Sequence, residues 1–195
     1  MAAVVQGDRT AFGELYRRRR PDVYRFAAHM TGDPAAAEDV TQDVFMAVIH
    51  EARRYDPRRA AVVSWLLGIA RNHARRRLSR DRALDPLPDA PADEMTVSSD
   101  PVAGLARERQ IAALRGAVRA LPVAYREAVV LCDLQELSYV DAAAVLGCAL
   151  GTVRSRLHRG RAMLASRLRV SSDRSRDGRL VIGSYDIPRP GIRRS

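Results

Sequence analysis

Arginine and carboxylate side chains have the spacing to do chemistry in this sequence, and they lie in separate blocks. From Arg154 to Arg169 there are six arginines and no acid, and from Arg71 to Arg82 six arginines against one aspartate. Guanidinium forks match phosphate oxygens and the O6/N7 edge of guanine, so such runs suit nucleic acid. Between Asp33 and Glu51 there are five acids and no arginine, and from Asp85 to Asp100 five acids and no base. Glu38, Asp39 and Asp43 could in principle carry acid/base or metal chemistry, but no histidine or nucleophile joins them in sequence. The block reads either as a solvated helix face or as a docking surface for a basic protein. Cys132 and Cys148 form no CxxC pair, and with His29, His50, His73 and His158 they show no zinc-ligand spacing. No catalytic residue, metal or cofactor is expected.

Composition bounds what can position these groups. The 195 residues are 47% apolar, enough for packed cores, and only 5% aromatic, which suits helices better than an aromatic-rich sandwich. All 33 basic residues are arginine and the net charge is +10; the missing lysine is most simply a bias of a GC-rich genome. No apolar run approaches the ~18–20 residues that span a bilayer. The start, MAAVVQGDRTAF, lacks the charged head and long apolar core of a signal peptide. A cytoplasmic protein without membrane insertion is expected.

The elements follow from local signals. Thr31-Gly32-Asp33-Pro34 ends one helix on glycine and starts the next with an Asp cap and a first-position proline. Asp100-Pro101 repeats the start signal, Leu121-Pro122 marks a boundary, and Ile111, Leu114, Val118 and Leu121 keep helical spacing. Residues 83–101 carry four prolines and five acids and read as a flexible acidic linker, with an extended reach of ~60 Å. The tail, 170–195, reads as disordered, with Leu180–Ile182 alone strand-prone. The fold class is all-α: two small helical domains, 8–82 and 102–169, joined by the linker.

In the second domain Ser138 and Asp141 form a weak capping box, and a helix of about eight residues stops at Gly147. A second helix starts near Leu150, which makes a helix-turn-helix. The first helix packs through Ala142, Val145 and Leu146. In the second, Val153, Leu157, Gly160 and Leu164 share one face, and Gly151, Ser155, His158, Arg159 and Ala162 share the opposite one. Arg154, Arg156 and Arg161 flank that outer face, which has the shape and charge for a major groove.

In the first domain Ala37, Val40, Val44, Ala47 and Val48 form a core stripe, and Asp39, Gln42, Asp43 and Met46 an acidic one with little positive charge nearby in sequence. Further on, Val62, Trp65, Leu66, Ile69 and His73 are compatible with burial. Arg71, Asn72, Arg75, Arg76 and Ser79 lie outside, and Tyr55-Asp56-Pro57 turns into that helix. Trp65 reads either as core or as a base-stacking platform. A helix-turn-helix alone fits a stand-alone regulator that binds duplex operators as a dimer, and the carboxylates alone leave open a nucleic-acid-processing enzyme.

Taken together, AAAEDVTQDVF followed by YDPRRAAVVSWLLGIARNHARRRL resembles region 2 of a bacterial RNA polymerase sigma factor. ALPVAYREAVVLCDLQELSYVDAAAVLGCALGTVRSRLHRGRAML resembles region 4. With only a linker between them, over about residues 10–168, the chain is similar to the extracytoplasmic-function (ECF) group of the sigma-70 family. The resemblance implies an alternative sigma factor with no catalysis of its own, found on the nucleoid when active. Its implied partners are core RNA polymerase (β′ clamp helices and β flap), promoter DNA and an anti-sigma factor. It places Glu38, Asp39, Gln42, Asp43 and Phe45 on the polymerase. It assigns Asp56, Arg58, Arg59, Trp65, Arg71, Asn72, Arg75 and Arg76 to capture and melting of the −10 element. Thr152, Arg154, Ser155, His158, Arg159 and Arg161 fall to the −35 major groove, and the acidic linker to the polymerase's RNA path. Two features depart from the pattern: Ala149-Leu150 stands where Pro or Ser often precedes Gly-Thr-Val, and His158 stands where aromatic or other residues occur.

Overall fold

Side-chain caps and left-handed glycines place the helix ends. A computed structural model describes residues 1–84 and 103–176. The central acidic segment, 85–102, with Asp100-Pro101, and residues 177–195, with Leu180–Ile182, lie outside the described residues. After a single turn, α1 (Ala2–Val5), Asp8 caps α2 (Arg9–Thr31) by accepting from Thr10 N at 2.8 Å and Ala11 N at 3.0 Å. Gly32 ends α2 at φ 75°, which a side chain would strain. Asp33 then caps α3 (Pro34–Glu51), accepting from Ala35 N at 3.2 Å and Ala36 N at 2.9 Å. A short 3₁₀ turn, Ala52–Arg54, leads to the loop before α4 (Val62–Leu84).

Helices α2, α3 and α4 pack on one another around Val23, Phe26, Met30, Val44, Leu66 and Leu67, all fully buried. The α3 stripe holds at Ala37, Val40, Val44 and Val48, with Ala47 half-buried. On α4 the face is rotated from the expected one. Leu66 is buried with Leu67, Ala70 and Ala74, while Val62, Trp65, Ile69 and His73 are half-buried. That helix is packed on two sides, against α2 and α3 and against a helix of the second half, so its apolar surface is broader than one stripe.

The second half begins with α5 (Ala103–Arg119), in which Ile111 and Leu114 are exposed and Val118 is buried. Pro122 opens α6 (Val123–Val129), which runs into a π-helical turn, Val130–Leu134. Gln135 N closes that turn on Val130 O at 2.9 Å, and Glu136 at φ 55° redirects the chain. Helices α7 (Tyr139–Leu146) and α8 (Leu150–Arg176) complete the set. Helix α8 extends past position 169 into the stretch expected to be disordered. Among the described residues there is no strand, and no helix is long and apolar enough to cross a membrane.

The two halves touch. Helix α4 packs on α7, the α2 end packs on α5 and α6, and the buried side chains form one continuous set from Val4 to Leu157. Arg126, 5% exposed, donates to Met30 O at 2.6 Å, to Leu121 O at 3.1 Å and to Arg119 O. It thereby satisfies carbonyls at the ends of both α2 and α5. Gln135 adds a bond to Asp22 O at 3.2 Å.

Candidate nucleic-acid interface

Helices α7 and α8 form the expected helix-turn-helix. Ser138 Oγ accepts from Asp141 N at 3.1 Å, but the Asp141 carboxylate takes the Ser138 hydroxyl at 2.6 Å instead of reaching back to the backbone. This is half a capping box. Gly147, at φ 63°, ends α7, and Cys148 N bonds Ala143 O at 3.2 Å. Ala149 accepts from Thr152 N at 2.9 Å through its carbonyl; its methyl side chain offers no cap.

Helix α8 is two-faced. Val153, Leu157 and Gly160 are buried and Leu164 is half-buried, while Gly151, Arg154, Ser155, His158, Arg159 and Ala162 are exposed. Gly160 lets α8 approach α6: a Cβ there would lie 2.7 Å from Val129 Cγ2. The apolar face therefore fixes which residues point outward. Thr152 and Arg156 are half-buried at its margin. Arg161 departs from expectation. Asp133 holds it bidentately, Nη2 to Oδ1 at 2.5 Å and Nε to Oδ2 at 3.1 Å. The run 154–169 lacks an acid, but the fold supplies one from the π-helical turn. The pair fastens α8 to that turn and leaves the Arg161 side chain 41% exposed at the flank of the outer face.

In the loop before α4, Asp56 Oδ1 accepts from Arg58 N at 2.9 Å and Asp56 O from Arg59 N at 3.1 Å. Asp56 thus builds the turn, and Arg58 and Arg59 are exposed on it. Tyr55 donates to Ala60 O at 3.1 Å and lies 5.3 Å, ring to ring, from Trp65. Trp65, Ile69, Arg71 and Asn72 line a groove of about 340 Å³ whose other wall is Ala144 and Val145 of α7 with Gly147 just past its end. Trp65 is thus neither core nor open platform. Asn72 and Arg76 are exposed.

Arg71, expected on the outside, is half-buried, and together with Arg75, which is exposed as expected, it converges on Glu127. Arg71 Nε donates to Oε1 at 3.0 Å, and Arg75 donates through Nε to Oε1 at 2.5 Å and Nη2 to Oε2 at 2.9 Å. Glu127 is fully buried, and the Arg71 side chain is only 14% exposed. Both Glu127 and Arg126 escaped sequence reasoning. The available signal was periodicity: Val123, Glu127, Val130, Leu131 and Leu134 share one helical face, and a charge on an apolar stripe calls for a buried partner.

The acidic face of α3 is less bare than its local sequence suggests. Glu38 takes Arg20 at 2.7 and 2.8 Å, Asp39 takes Arg77 at 2.7 Å, and His73 Nδ1 lies 3.2 Å from Asp43 Oδ2. These partners come from α2 and α4, beyond the reach of a local charge count. The three acids remain 52%, 59% and 55% exposed, so the pairs are weak and exchangeable. Gln42 and Met46 are exposed beside them, and Ile49 is 55% exposed. Phe45 is buried, edge-on to Phe12 and Tyr16, so it positions α3 and offers no contact surface.

Both cysteines are free thiols. Burial, and next the Asp133 carboxylate, push the Cys132 thiol up to about 11, which keeps it protonated and unreactive at neutral pH. Burial, then the guanidiniums of Arg115 and Arg25, hold the His29 imidazole below its ordinary value.

Residues 15–83 match the family model for Sigma-70 region 2, and residues 111–164 match Sigma-70, region 4. The chain is 41% identical over 167 residues to ECF RNA polymerase sigma factor SigM of Mycobacterium tuberculosis, covering 85% of this chain and 81% of that protein. It is 38% identical over 168 residues to ECF RNA polymerase sigma factor SigE of Mycolicibacterium smegmatis, covering 81% of this chain but 63% of that longer protein. Among solved structures it superposes on CnrH, in complex with the cytosolic domain of CnrY, with TM-score 0.64 and 27% identity over 87% of this chain and 94% of that one. The sigma factor RpoE, in complex with the anti-sigma factor NepR from Bartonella quintana, shares the fold at TM-score 0.68 and 24% identity, over 82% and 98% of the two chains. The chain belongs to the ECF group of the sigma-70 family of RNA polymerase sigma factors.

Proposed function

We propose that this chain is an alternative sigma factor that binds core RNA polymerase, directs it to promoters through −35 and −10 elements, and helps open the DNA. The observation that carries the reading is the division of labour along one chain. A two-faced helix in a helix-turn-helix presents Ser155, His158 and Arg159 outward, and a separate helix presents exposed acids. Helix α8 enters the −35 major groove, where Arg154 and Arg159 reach base edges or phosphates and Thr152 sits at the margin. Arg58, Arg59, Trp65, Asn72 and Arg76, with Arg71 and Arg75 once released, serve the −10 strand by stacking, hydrogen bonding and phosphate contact.

Glu38, Asp39, Gln42 and Asp43 dock on the β′ clamp helices, the acids exchanging their intramolecular partners for the polymerase's, and region 4 meets the β flap. The chain has no reaction of its own. It works in the bacterial cytoplasm, on the nucleoid when active, and an anti-sigma factor holds it in reserve. In support of this last partner, the sigma factor RpoE, whose fold this chain shares, was solved in complex with the anti-sigma factor NepR. Pull-down with core polymerase tests the reading. Wild type is retained, and Asp39→Arg and Asp43→Arg lose most of that retention. Retention equal to wild type in both variants sinks the α3 assignment, and no retention of wild type sinks the whole reading.

A further inference from the structure

Glu127 is the one fully buried acid among the described residues, and its partners are two arginines assigned above to a nucleic-acid strand. A carboxylate and a phosphate offer the same planar pair of oxygens to a guanidinium fork, and Arg75 grips Glu127 through just such a fork. The contact joins α4 of the first half to α6 of the second, residues 52 and 56 apart in sequence. Around it α7 walls the groove holding Trp65, Ile69 and Asn72. Arg126 and Gln135 tie the same two halves at Met30 O and Asp22 O. A single strand cannot occupy Arg71 and Arg75 while Glu127 does, and α7 walls its approach to Trp65.

We infer that Glu127 is an internal substitute for nucleic-acid phosphate that holds the second half closed over the α4 face, so that α4 meets DNA only after this contact opens. The consequence for DNA rests on the −10 reading above; the closure does not. Removing the charge of Glu127 leaves Arg71 and Arg75 side by side without an anion, which favours separation of the halves.

The test uses the full chain as wild type, Glu127→Gln and the double variant Arg71→Gln/Arg75→Gln, each checked for helix content by circular dichroism. The double variant removes the other side of the contact, and Arg75 at 43% exposure tolerates replacement, so the question stays answerable if Glu127→Gln fails to fold. Small-angle scattering reads closure, and anisotropy reads binding to a labelled mixed-sequence single strand of about a dozen nucleotides. Both variants should show a radius of gyration several ångströms above wild type. Glu127→Gln should bind the strand about tenfold more tightly, and the double variant should gain nothing. Folded variants as small as wild type overturn the inference. Opening of both without any gain on DNA supports the closure and refutes the −10 assignment instead.

Discussion

Replacing Arg126 by alanine should cost more stability than any surface change. The guanidinium donates to the carbonyls of Met30, Leu121 and Arg119, which lie at the ends of α2 and α5, where helix carbonyls lack partners and carry partial negative charge. Bonds from a charged donor contribute about 1.5–3 kcal/mol each, so three give an upper bound of roughly 5–9 kcal/mol. Two effects reduce this. Alanine also relieves the burial of a charge, and water enters the space to meet some of the carbonyls. A loss of about 3–5 kcal/mol remains. For a chain of this size each kcal/mol shifts Tm by about 2–4 °C, so Arg126→Ala should melt roughly 10 °C below wild type. Arg126→Lys, a compact ammonium without the planar fork, should recover less than half. Thermal melts by circular dichroism and urea titrations give both numbers. A loss under about 1 kcal/mol for Arg126→Ala, or full recovery with lysine, would show that the three-carbonyl geometry stabilises little.

Other outcomes follow from single contacts. Gly160→Ala gains helix propensity of about 1 kcal/mol but meets Val129 Cγ2, and overpacking of about 1–3 kcal/mol should leave a net loss. Combined with Val129→Ala it should lose less than the sum of the single changes, by urea denaturation. His29 is held below its ordinary value, so the unfolded chain binds its proton first as pH falls. Stability should therefore drop below about pH 6.5 and level off once the folded imidazole also protonates; in His29→Gln that slope disappears from melts run across pH 5–7.5. At pH 8 Cys132 should react with iodoacetamide about two orders of magnitude more slowly than an unhindered cysteine, read by peptide mass spectrometry. Arg159→Ala should cost about 1–3 kcal/mol at the favoured −35 sequence and less at mismatched ones; an equal loss everywhere marks a phosphate contact.

What the sequence made legible was local. Asp33-Pro34, Ser138 and Gly147 mark helix ends because a cap or a left-handed glycine acts within a few residues. The faces of α8 follow from a 3.6-residue period alone, and Val153, Leu157 and Gly160 are where that period puts them. What stayed hidden was every pairing across helices. Arg77 meets Asp39 over 38 residues and Arg161 meets Asp133 over 28, so a run that looked unopposed finds its acid elsewhere. Arg71 looks external when α4 is given a single neighbour, whereas Glu127 and α7 approach from the far half of the chain and half-bury it. Phe45 is placed in the polymerase-binding segment as a support, but the rings it packs on, Phe12 and Tyr16, lie on α2, out of reach of local sequence.

Promoter selection itself is the most direct measurement. Core polymerase with the purified chain, run on fragments of its own genome, is followed by sequencing of RNA 5′ ends. A sigma factor yields a small set of starts that share two upstream boxes at fixed spacing, absent with core alone and lost with Arg154→Ala/Arg159→Ala. Starts no different from those of core alone contradict the account.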